Sequence, residues 1–175
     1  MKRPLIVGVM GGGHADEEHL QSAYRLGALI AGQGWILLNG GRNVGIMSAS
    51  ACGAAEHGGL TVGILPDDNP AQAGEYIRIP ICTGMGSARN VINVLSSDIV
   101  VACQGGAGTV SEIALALKHG KPIITMGFDA RAIADLSHSR GLLAAARTPE
   151  EVIAMIKDRI ANLTASLPSE DHRES

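Results

Sequence analysis

The chain has 175 residues, enough for one domain with its own core, and 46% of them are apolar. A net charge of −3, 2% aromatic residues and no Lys/Arg cluster argue against a nucleic-acid partner, which would need a basic footprint and a stacking platform. Cys52, Cys82 and Cys103 stand in separate apolar contexts without metal-ligand spacing, so they read as reduced core residues of a cytoplasmic protein; no apolar run reaches membrane-spanning length.

Leu5 to Met10 is an apolar run without polar alternation, as expected of a parallel strand covered on both faces. Gly11, Gly12 and Gly13 turn the chain, and Asp16 can cap a helix that runs until Gly32 and Gly34 stop it. Trp35 to Leu38 forms a second strand, followed by a corner containing Gly40, Gly41, Arg42 and Gly45 that opens a small-residue helix to about His57. Leu60 to Leu65 is a third strand, ended by a Pro- and Asp-rich loop over 66–70. Glu75 to Pro80 reads as a short strand kept from the sheet centre by its proline, and Thr83, Gly84, Met85 and Gly86 form another corner. Ser87 is then a plausible N-cap for a helix carrying Arg89, Asn90 and Asn93.

Ile99 to Ala102 is the next strand, and Cys103 to Glu112 the last glycine corner. Gly105, Gly106 and Gly108 bring backbone N–H groups close together at a helix start, which is an anion site. Thr109 and Glu112 also fit a capping box, so helix capping and ligand binding both account for these residues. The following helix is apolar on both faces, Val110, Ile113, Ala114 and Leu117 on one and Leu115 and Ala116 on the other, which points to a homo-oligomer, dimer or tetramer. Lys121 to Met126 is a further strand, 130–140 a loop or short helix, and Leu142 to Ala146 an edge strand. Thr148 and Glu151 form a capping box for a final helix facing inward through Val152, Ile156, Ile160 and Leu163; residues 164–175 are a polar tail.

This alternation predicts one α/β domain over residues 1–163, a three-layer, doubly wound, mainly parallel Rossmann-like sheet. All the glycine corners then fall at the carboxyl edge of the strands, where a phosphorylated or nucleotide-like small molecule would bind. No serine has a recognisable His and Asp arrangement beside it, and Lys118 and Lys121 lie away from the corners, which rejects a pyridoxal phosphate site.

The run Gly105 to Glu112 resembles the G-G-x-G-T-x-x-E motif of the Rossmann-like group that includes the Lonely-guy-type cytokinin phosphoribohydrolases, also called lysine decarboxylase-like. Gly40-Gly41 with Gly45-Ile46-Met47 and the strand end Gly63-Ile64-Leu65-Pro66 are similar to two further motifs of that group. The hydrolases carry M-H-x-R-K and P-G-G; here Arg89 matches the Arg, no His is present, Asn90 replaces the Lys and Gln104 the Pro. Thr83-Gly84-Met85 with Ala88-Arg89-Asn90, together with the last corner, is closer to the molybdenum cofactor carrier branch. That resemblance implies binding of molybdopterin-type molybdenum cofactor as cargo through its phosphate, with molybdoenzymes or cofactor-insertion proteins as recipients. The alternative it implies is a nucleoside 5′-monophosphate phosphoribohydrolase in which Arg89 orients substrate and Glu112 stabilises oxocarbenium-like charge. A nucleotide-sensing domain is a third reading.

Overall fold

The structure, a computed structural model, describes residues 3–130, 133 and 141–165. In chain order the elements are β1 (Ile6–Met10), α1 (Glu17–Gly32), β2 (Ile36–Asn39), α2 (Gly45–Glu56), β3 (Thr61–Leu65), β4 (Ile79–Cys82), α3 (Asn90–Ser96), β5 (Ile99–Ala102), α4 (Ala107–Lys118), β6 (Ile123–Met126), β7 (Leu143–Ala146) and α5 (Pro149–Ala165). Short 3₁₀ turns lie at Pro70–Gln72 and Gly86–Arg89. The strands form one sheet in the order β4-β3-β2-β1-β5-β6-β7, and every strand pair is parallel. The chain winds outward from β1 to β4, then returns to lay β5 on the other side of β1, so the switch point lies between β1 and β5.

The alternation of side chains along these strands feeds two cores. Val7, Val9, Leu37, Val101 and Ile124 pack with α1, α2 and α5, whereas Met10, Leu38, Ile64, Val100 and Ile123 pack with α3 and α4. The expected three-layer parallel sheet is therefore present. Asp16 caps α1 by accepting from the His19 amide at 3.0 Å. The Glu151 amide donates to Thr148 Oγ1 at 3.2 Å, and the Glu151 carboxylate accepts from the Arg147 amide at 2.7 Å, so the final capping box forms one residue wider than its usual pattern.

Several local expectations are corrected. The strand placed at Glu75 to Pro80 begins at Ile79, because Thr61 Oγ1 donates to Tyr76 O and accepts from the Arg78 amide, holding that stretch off the sheet. Pro80 is tolerated because β4 is an edge strand. Ser87 does not cap α3: the chain enters through the 3₁₀ turn, Arg89 stands at the N-cap position, and no side chain caps the helix. Cys82 is exposed on β4 and is not a core residue, while Cys103 is buried, with burial pushing its thiol up to about 12. The inward face of α4 is Thr109, Glu112, Ile113, Ala116 and Leu117; Val110 and Ala114 point outward. α5 runs to Ala165, and the tail beyond it, like most of 130–140, lies outside the described residues.

α1 and α2 cross closely because each contributes a glycine to the contact. A Cβ on Gly27 would overlap Ser50 O and stand 2.9 Å from Ala54 N, and one on Gly53 would stand 2.8 Å from the Tyr24 carbonyl carbon. Backbone cannot yield as a flexible side chain can, so Gly27→Ala should destabilise the fold by about 1–3 kcal/mol despite the better helix propensity of alanine. Gly32→Ala, which meets nothing within 4 Å, should not. Urea denaturation of both variants checks the contrast; equal stabilities would contradict the close crossing.

Candidate functional site

Backbone hydrogen bonds stitch the corners after β1, β2 and β5 together at the switch point. The Gly12 amide donates to Gln104 O at 2.9 Å, and the Ile46 amide donates to Gly12 O at 3.0 Å. No side chain fits inside this stitch: a Cβ on Gly105 would overlap Thr109 Oγ1 and stand 2.8 Å from Gly12 N, and one on Gly45, whose φ is +52°, would overlap Gly12 O. The result is a cleft of about 230 Å³ lined by Gly11, Gly12, Gly13, Gly40, Met47, Arg89, Asn90, Gly106, Gly108, Thr109 and Glu112, with Val9 and Met10 at its floor.

Two sources of unpaired donors face this cleft. The first is the start of α4, where Gly106 is the N-cap, no side chain caps the helix, and the first-turn amides have no intrahelical acceptor. The Thr109–Glu112 capping box is therefore absent: Thr109 is already the third helical residue, and both side chains are buried. The second source is Arg89, whose Nε and Nη1 are buried with no hydrogen-bond partner among the described residues. Burial lowers the Arg89 pKa, the Glu112 charge opposes that shift, and nearby Arg42 and Asp67 act in opposite directions. Gly40 makes room for this guanidinium, since a Cβ there would stand 2.6 Å from Nη2.

Glu112 is 6% exposed and accepts a 2.7 Å hydrogen bond from Asn93 Nδ2. Burial raises its pKa, against the opposing pull of the Asn93 hydrogen bond and the Arg89 charge. Asn90 ties α3 to the first turn of α4 by donating to Ser111 Oγ at 2.9 Å, and Ser111 donates to Gly108 O at 2.7 Å.

The remaining expected site residues stand outside the lining. Arg42 is held by Asp67 at 2.9 Å, Thr83 Oγ1 donates to Leu65 O at 2.7 Å, and Met85 is 48% exposed. Gly41 and Gly84 occupy left-handed turns, and Gly105 lies beneath Thr109 in the stitch. Met47 and Asn93 were not singled out as site residues. Met47 follows the Gly45 corner directly and could have been placed there by position, whereas the role of Asn93 exists only through the packing of α3 on α4. Among the described residues no group of three His, Cys, Asp or Glu side chains could hold a metal, and no helix is long and apolar enough to cross a membrane.

The profile of the SLOG cluster4 family matches residues 4–153. The chain belongs to the SLOG cluster4 family. Among solved structures, this SLOG cluster4 chain is similar to the molybdenum cofactor binding protein from the phototrophic bacterium Rippkaea orientalis, with 48% identity and a TM-score of 0.87 over 91% of this chain and 99% of the other. It is also similar to the Moco carrier protein from Chlamydomonas reinhardtii, with 44% identity and a TM-score of 0.83 over 91% and 99% of the two chains. A cytokinin riboside 5′-monophosphate phosphoribohydrolase of Mycobacterium tuberculosis is 35% identical over 121 residues, 61% of this chain and 62% of that protein.

The raised carboxyl has a consequence for the stability of the SLOG cluster4 fold. The folded Glu112 pKa lies above its unfolded value, so ionising it costs stability as the pH rises through the folded value, and the cost is absent below the unfolded value. Glu112→Gln, which keeps the neutral shape, should be more stable than wild type at about pH 8, and this advantage should vanish at about pH 4. Urea denaturation at both pH values checks this; a variant destabilised at both would contradict it.

Proposed function

We propose that this chain carries molybdenum cofactor, binding its terminal phosphate at the start of α4 and beside Arg89 without turning the ligand over. The observation that carries the reading is the Arg89 guanidinium at the cleft, whose buried Nε and Nη1 have no hydrogen-bond partner among the described residues. A buried orphan donor is costly unless a ligand acceptor meets it, and a phosphate oxygen does so with charge assistance. The carrier reading is further supported by likeness over nearly the whole length of two proteins described as molybdenum cofactor binding or carrying. The cargo would pass to molybdoenzymes or insertion proteins.

The runner-up, hydrolysis of a nucleoside 5′-monophosphate, is favoured by the shared cleft of Arg89 and Glu112 and by the mycobacterial relative. Glu112 is the one carboxylate among the cleft-lining residues, and burial pushes it toward its neutral form. A neutral acid stabilises oxocarbenium-like charge poorly, and among the described residues no second carboxylate lines the cleft to share the work. Mass spectrometry of ligand released from protein purified without oxygen should find a phosphorylated pterin. Release of base and ribose 5-phosphate from a nucleoside monophosphate, abolished by Glu112→Gln, would overturn the carrier reading.

The site itself is tested by two substitutions. Arg89→Ala should weaken a phosphate-bearing ligand by about 1.5–3 kcal/mol, the scale of a charged hydrogen bond. Gly108 does not need a positive φ, and its Cβ would meet only Asn90 Nδ2 at 4.0 Å, so Gly108→Val should fold while filling the cleft. Calorimetry showing unchanged affinity in either folded variant would mean that the ligand binds elsewhere.

We also propose a closed homo-oligomer built on the α3/α4 layer. Leu95 is 50% exposed and Val110 39%, and Ala114 is exposed beside them on α4. Ile79 and Ile81 are each 43% exposed, and their pairing with Val62 and Ile64 directs them to the same side of the sheet. Light scattering at micromolar concentration should report a dimer or tetramer, and a monomer would refute the proposal.

A further inference from the structure

We propose that Asn93 is the positioning residue that sets the pH at which Glu112 takes up a proton when the cleft takes an anion, so that anion binding is linked to protonation of this one buried carboxyl. The inference rests on the anion-site reading above and adds its regulation.

Asn93 is fully buried, its Nδ2 lies 2.7 Å from Glu112 Oε1, and its Oδ1 has no hydrogen-bond partner among the described residues. An amide presents a donor on one side and an acceptor on the other. In this orientation the N–H₂ holds a carboxylate; turned over, the Oδ1 would accept the O–H of a carboxylic acid at the same separation, which suits either hydrogen bond. Among uncharged side chains an amide can therefore partner both protonation states of Glu112, where a leucine partners neither. Its unsatisfied Oδ1 is an acceptor available for that exchange.

The groups facing Glu112 explain why an anion would trigger it. Arg89, from the turn before α3, is the charged side chain that faces it across the cleft. β1 contributes Val9 and Met10, α3 contributes Asn90 and Asn93, and the first turn of α4 contributes Thr109, none of which carries charge. Arg42 and Asp67 pair with each other and act on Arg89 in opposite directions. An anion paired with Arg89 removes the counter-charge of Glu112 and sets a like charge beside it. Both changes favour the neutral acid, and burial already does. His14 and His19 lie outside the cleft lining.

Sulfate is a suitable probe because it stays a dianion between about pH 5 and about pH 8, where phosphate changes its own charge. Its binding is read from NMR shifts of the Gly106 and Gly108 amides, at constant ionic strength with chloride. Wild-type affinity should rise as the pH falls, by up to about tenfold per unit for uptake of one proton. Glu112→Gln should bind sulfate with a flat profile, at least as tightly as wild type at low pH. Asn93→Leu removes the donor that stabilises the carboxylate, so the midpoint should move to higher pH and sulfate should bind more tightly than to wild type at about pH 8. Asn93→Asp, which keeps the shape and places a second carboxyl beside Glu112, should move the midpoint the same way and serves if the leucine variant does not fold. Affinity lowered equally at every pH in the Asn93 variants, or an unmoved midpoint, would overturn the proposal and leave Asn93 a structural residue. Wild-type protein that binds sulfate equally at every pH removes the proton linkage alone. Protein that binds none at any pH removes the anion site and the linkage with it.

Discussion

The geometry of the cleft depends on one constraint, the backbone stitch that draws the corners after β1, β2 and β5 onto each other. Its two hydrogen bonds, from Gly12 N to Gln104 O and from Ile46 N to Gly12 O, need main chain to approach main chain with nothing between. This is where the winding of the sheet reverses, so the two halves of the fold diverge from it and leave a hollow at the strand ends. The start of α4 opens into that hollow without a side-chain cap. A helix end left open in this way retains the donors that a capped helix would have spent on itself.

The charges are arranged around the stitch in series. Asp67 neutralises Arg42, Arg89 stays unpartnered in its hydrogen bonding, and Glu112 is steadied by Asn93. Arg89 and Glu112 are each pushed toward neutrality by burial and each pulled back by the other. An anion entering the cleft would act on both members of this pair.

The strands and helices were legible because the apolar runs at 5–10, 60–65 and 99–102 carry no polar alternation, while the segments between them carry glycine corners and helical patterning, which reads as a parallel α/β sheet. The corners were legible as glycine clusters. What could not be read was which corner residues face the cleft and which serve the backbone. Arg42 and Arg89 look alike in sequence, yet one meets Asp67 from a loop 25 residues on and the other keeps Nε and Nη1 without a hydrogen-bond partner among the described residues. The pattern Thr109-x-x-Glu112 has the letters of a capping box, but α4 starts at Ala107, too early for Thr109 to be its cap, and the same spacing buries both side chains. β4 begins late because one threonine hydroxyl on β3 holds Tyr76 and Arg78, a contact across 15 and 17 residues that no local pattern reveals.

The stitch and the open start of α4 are main chain, while the polar side chains that line the cleft come from two places, Arg89 and Asn90 from the turn Gly86–Arg89 and the start of α3, and Thr109 and Glu112 from α4, with Asn93 of α3 backing Glu112. Holding and choosing are thus divided between different parts of the polypeptide. Substitutions between residues 85 and 93 can exchange the chemistry offered to a guest without disturbing the sheet, the crossing of α1 on α2, or the stitch. An evolving lineage built on this plan can diverge in what it accommodates while its scaffold stays constant.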